Sequence, residues 1–102
     1  MPRRVDLSAA SIRDLDATKR WLLQPGSGEA ARDKLRTIRQ SIRQLERTPC
    51  RWAVGDHNGV REIPVGGYRV MYEVDADTGD NETAGNVRVL RVFGPHMSRQ
   101  DL

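Results

Sequence analysis

The stretch REIPVGGYRVMYEVD, Arg61 to Asp75, decides the fold, together with NVRVLRVFG, Asn86 to Gly94, beyond a polar loop. In YRVMYEVD the apolar period is two, which sets Tyr68, Val70, Tyr72 and Val74 on one side of a strand and Arg69, Met71 and Glu73 on the other. Gly66-Gly67 turns the chain from VREIPV into that strand, and Pro64, which has no amide hydrogen, marks the earlier strand as interrupted or at an edge. NVRVLRVF reads as the last strand, with Leu90 and Val92 on one face and Val89, Arg91 and Phe93 on the other. The pattern places two arginines, Arg69 and Arg91, inside the most apolar runs of the chain.

Upstream of Arg61, RWAV reads as a further strand and GDHNG, 55–59, as a turn signalled by Asn58-Gly59. The N-terminal half has a different period. Ala31, Leu35, Ile38, Ile42 and Leu45 recur every three or four residues, so a helix from Glu29 to about Arg47 carries them as one stripe. QPGSGE, 24–29, separates it from a helix running from about Ser8 to Leu23, N-capped by Ser8 and expected to bury Ile12, Leu15, Trp21 and Leu22. RRVDL before it suits a short first strand. Helices followed by strands, joined by short links, give an α+β fold: a short N-terminal strand and a helical hairpin laid on one face of a twisted antiparallel sheet. One domain spans 1–102, because a chain of 102 residues has material for a single modest core.

Composition narrows the function. With 37% apolar and 30% charged residues the chain is an ordinary globular one, and no apolar run is long enough for a bilayer. A soluble, cytoplasmic protein is expected. One cysteine, Cys50, and two histidines, His57 and His96, offer no zinc spacing, so neither metal nor cofactor is expected. Residues 1–51 hold twelve Lys/Arg against six Asp/Glu, a +6 half that leaves −3 for the remainder, with four acids between Asp75 and Glu82. A basic half attracts polyanions or an acidic partner, and the same charges also serve as a plain solvated helix face.

If the last strands pair, Arg69 and Arg91 share the sheet face that the helices leave open, as rigidly held guanidiniums suited to an anion. The plainer alternative is a surface ion pair of Arg69 with Glu73 or Glu62, worth under about 1 kcal/mol.

The order of VDLSAASIRDL, a second helix ending before a proline, RE..V.GYRV.YEVD and V.VLRVFG resembles the RelE/ParE superfamily of type II toxin–antitoxin toxins over nearly the whole chain. The resemblance implies a bacterial toxin with the helical-hairpin-on-sheet fold. RelE-like members cleave mRNA on the ribosome, and Arg69 stands where they keep a phosphate-binding arginine. EIPV, however, lacks their lysines, and GPHMSRQDL lacks their terminal tyrosine, leaving His96 as the one alternative acid or base. VLRVFGPHMSRQDL is closer to the ParE-like branch, which poisons DNA gyrase and has no nuclease set of its own. That branch is the expected one, with a RelE-like endoribonuclease as the alternative. The implied target-binding residues are Arg61, Arg69, Arg91, His96 and Arg99. The implied partner is a cognate ParD-like or RelB-like antitoxin, anchored on Trp21, Trp52 and Phe93, with operator DNA reached only through the antitoxin. No membrane association is implied.

Overall fold

In the computed structural model, which describes residues 3–95 and 97, the elements run β1 (Val5–Leu7), α1 (Ala9–Leu22), α2 (Gly28–Gln44), β2 (Arg61–Val65), β3 (Tyr68–Asp75) and β4 (Asn86–Phe93). The four strands form one sheet in the order β1-β4-β3-β2. The sheet is mixed where an antiparallel one was expected, because β1 lies parallel to β4 while β2, β3 and β4 are antiparallel. A parallel pair needs a long crossover, and here that crossover contains both helices and two strands.

The β3 alternation is as read: Tyr68, Val70, Tyr72 and Val74 are buried while Arg69, Glu73 and Asp75 are exposed. Against that face packs the α2 stripe, with Leu35, Ile38, Ile42 and Leu45 buried and Ala31 at its margin. Gly66 and Gly67 make the two-residue β2–β3 turn, both at positive φ (49° and 87°), a backbone path that side-chain-bearing residues resist. Pro64 sits in β2, the outer strand, where its missing amide costs no ladder bond.

Three local expectations are corrected. RWAV does not form a strand; only an isolated bridge joins Val54 to Arg61. In β4 the period of two breaks, since Met71 pairs with Arg91 but Tyr72 with Val89, leaving Leu90 as an extra residue. Val89 and Val92 are therefore both buried, rather than on opposite faces. In α1, Leu22 is buried and Leu15 partly so, but Ile12 and Trp21 are about half exposed, at 54% and 49%, and the residues facing inward are Ser11, Asp14 and Thr18.

The reason lies in the edge of β4. Beyond Leu7 and its partner Val89, β1 ends and β4 would have unpaired backbone groups. Polar side chains at the start of α1 take them: Ser8 Oγ donates to the Leu90 carbonyl at 2.8 Å, and Asp14 Oδ2 accepts from the Val92 amide at 2.9 Å. Ser8 also caps α1, accepting from the Ser11 amide at 3.0 Å. The first helix is thus fixed by a polar seam to a strand edge, and its apolar residues are partly left outside.

Candidate functional site

The register puts Arg69 opposite Phe93 and Met71 opposite Arg91, so these four side chains share the sheet face turned away from the α2 stripe. Both arginines lie on the open face, as expected. Their guanidiniums, however, are drawn to opposite edges of the sheet by two different carboxylates.

Arg69 Nε lies 3.1 Å from Glu62 Oε1 on β2. The arginine side chain is 58% exposed and the glutamate only 12%, so the acid is the fixed partner. Glu62 Oε2 accepts from the Asp56 amide at 3.2 Å, which ties the carboxylate to the 53–57 loop. That loop passes so close that a side chain at Gly55 would strike the Glu62 carboxylate. The outcome is a guanidinium oriented through its Nε, with its outer edge over a cleft. Met71, Phe93 and Pro95 supply the cleft's apolar surface, and Asp56 and His57 border it. An oriented guanidinium beside an apolar floor suits an anionic group on a partner.

Arg91 is placed otherwise. Its Nε is 2.6 Å from Asp14 Oδ2 and its Nη2 3.1 Å from Oδ1, and its guanidinium lies 4.4 Å from the centre of the Phe93 ring. The pair is a tie between α1 and β4 at the margin of the open face, and the aromatic ring completes the clamp.

Arg61 is engaged still more fully. Nε and Nη2 each donate to Asp77 at 2.9 Å, and Nη1 donates to the carbonyls of Trp52, at 2.5 Å, and Cys50, at 3.3 Å. With its side chain 12% exposed, it joins the acidic loop to the segment after α2. Those hydrogen bonds hold the Asp77 carboxyl below its ordinary range and raise Arg61 in turn. Arg3 does similar work from the other side, donating to the Glu46, Asn81, Ala84 and Gly85 carbonyls. Nothing in the sequence pattern singled out that role for Arg3.

Of the other expected site residues, His96 and Arg99 lie outside the described residues. Trp21 and Phe93 stand on different elements, α1 and β4, and Trp52 is packed partly into the core beneath Arg51, 4.9 Å from its ring. The exposed apolar residues nearest Trp21 in sequence are Ile12 and Leu23, at 54% and 45%. No group of three or more His, Cys, Asp or Glu among the described residues is arranged to hold a metal ion, and no helix among them is long and apolar enough to cross a membrane.

A two-helix hairpin packed on one face of a sheet is the architecture that the toxin-superfamily resemblance implies, with the parallel β1–β4 pair as the departure. The family model for the ParE toxin of type II toxin-antitoxin system, parDE, matches residues 5–96, and the chain belongs to that family. Among solved structures it is similar to the chromosomal ParDE TA system from P. aeruginosa, at 17% identity and a TM-score of 0.62, covering 88% of this chain and 92% of that one. At that identity the likeness is one of fold. No curated protein matches the chain.

Proposed function

We propose that this ParE-family toxin acts by binding DNA gyrase through its open face, with Arg69 as the oriented cation, and is silenced by a cognate antitoxin. The observation that supports a binding rather than a nuclease role is the Glu62–Arg69–Asp56 arrangement. A general base must be free to take and release a proton. The one carboxylate among the described residues that pairs with Arg69, Glu62, is instead held by the guanidinium and by a backbone amide. What is left for a target is the exposed side of Arg69 and the apolar cleft beside it.

The antitoxin reading draws on α1, where Ile12 and Trp21 on opposite flanks of the helix and Leu23 at its C-terminal cap each expose apolar surface, in a chain whose other helix is strongly basic. Aromatic anchors dominate interface energies, so Trp21 is the residue assigned to that contact. Phe93, lying under Arg91 on the open face, belongs with the target-facing set rather than with the antitoxin.

The test is a supercoiling reaction with purified gyrase and the full chain. Accumulation of cleaved DNA, reversed by the antitoxin and lost in Arg69→Gln, is the expected result. An inert gyrase reaction alongside mRNA cleavage on ribosomes would overturn the proposal in favour of the nuclease. For the antitoxin, Trp21→Ala is expected to weaken the complex at least about tenfold, in keeping with a hot-spot aromatic. An unchanged affinity would remove α1 from that interface.

A further inference from the structure

We infer that the outer face of α2 is a docking surface for the phosphate backbone of duplex DNA, bound without regard to sequence. Arg32, Arg36, Arg39 and Arg43 follow one another at intervals of four, three and four residues, so they form a single row along the helix. The row is about 16 Å long at 1.5 Å per residue, with neighbouring side chains about 5–6 Å apart at their base.

All four are exposed. Arg36 shares its charge with Asp33, whose Oδ1 is 2.8 Å from Nη1, while no carboxylate among the described residues lies within 4.0 Å of Arg32, Arg39 or Arg43. Like charges in such a row repel one another, and a polyanion relieves that repulsion while releasing its own counterions.

Three features favour duplex DNA as the occupant. Guanidinium forks match phosphate oxygens with two donors each. The row has little apolar surface of its own to anchor a peptide: Leu35 beneath it is 4% exposed, and Leu23, from the end of α1, borders one side. It also carries no aromatic side chain on which the bases of a single strand could stack. Contact through the backbone is independent of any operator recognition by an antitoxin, and it would raise the toxin's local concentration on DNA whatever the toxin's target.

The experiment is fluorescence anisotropy of a short mixed-sequence duplex titrated with the full chain over a range of salt. Four phosphate contacts give a slope of log Kobs against log[salt] of about −3.6, which is roughly a 150-fold loss for a fourfold rise in salt. The variant R32Q/R39Q/R43Q, whose fold is checked by circular dichroism, is expected to reduce that slope to about −0.9. No binding at low salt, or a slope unchanged in the variant, would overturn the inference. So would displacement of the duplex by poly-glutamate as effectively as by unlabelled duplex at equal charge, which would assign the row to an acidic protein instead.

Discussion

Asp14 of α1 and Arg91 of β4 meet in a bidentate ion pair, 2.6 and 3.1 Å, in which one carboxylate oxygen also takes the backbone amide of Val92. One acid therefore closes both a side-chain charge and a strand edge. The carboxylate is 9% exposed and the guanidinium 25%, so each is largely cut off from water that would replace a lost partner.

Removing Asp14 alone should accordingly be costly. Asp14→Ala takes the bidentate carboxylate away from a largely buried guanidinium and the side-chain acceptor away from the buried Val92 amide, and the expected loss is about 3 kcal/mol by urea unfolding. Replacing both partners by apolar residues of similar size, D14L/R91M, should recover part of that loss. Equal stability of wild type and Asp14→Ala would show that the seam does not hold α1.

A neighbouring position gives the opposite sign. Thr18, also on the inner side of α1, has a buried hydroxyl with no hydrogen-bond partner among the described residues. Valine has nearly the same shape and nothing to desolvate, so Thr18→Val is expected to be neutral or to stabilise by up to about 1 kcal/mol. A loss above that, measured by the same unfolding, would mean that the hydroxyl is satisfied after all.

These two residues show where the sequence was legible and where it was not. Periodicity reports apolar burial, and it located the α2 stripe and the β3 alternation because both pack on the core by hydrophobic area. It misplaced Ile12 and Trp21 because α1 is positioned by hydrogen bonds to a strand edge, a need that depends on β1 stopping at Leu7. The extra residue at Leu90 was equally hidden, since a bulge leaves the composition of a strand unchanged. At the site, the shared face of Arg69 and Arg91 was readable from alternation, while the ion pair of Arg69 was left open between Glu73 and Glu62, of which the fold selects Glu62. The partners of Arg91 and Arg61 were not, because Asp14 lies 77 residues from Arg91 and Asp77 is brought to Arg61 by the fold of a loop.

Arg69 offers a clean separation of stability from activity. Its side chain is 58% exposed and its ion pair lies near the surface, so Arg69→Gln should change stability by less than about 1 kcal/mol. Toxicity on expression in cells should nevertheless be lost. Arg91→Gln should reduce toxicity as well, but along with stability, because it breaks the tie to Asp14. If Arg69→Gln remains fully toxic, the open face is not the working surface.

Tyr72 links the core to alkaline pH. Its ring is fully buried, and its hydroxyl donates to the Pro49 carbonyl at 2.6 Å, holding the segment after α2 against the sheet. Burial disfavours the phenolate and pushes the group up to about 12. Below pH 10 the tyrosine is protonated in both folded and unfolded chains, so its contribution is complete. Between about pH 10 and 12 the unfolded chain gives up the proton while the folded one retains it, and stability falls with rising pH. Two pK units correspond to about 3 kcal/mol over that window. Tyr72→Phe should cost about 1 kcal/mol at neutral pH for the lost hydrogen bond, yet show a shallower decline above pH 10. Urea midpoints at neutral pH and at pH 11 measure both effects, and parallel declines in the two proteins would assign the alkaline loss to other groups.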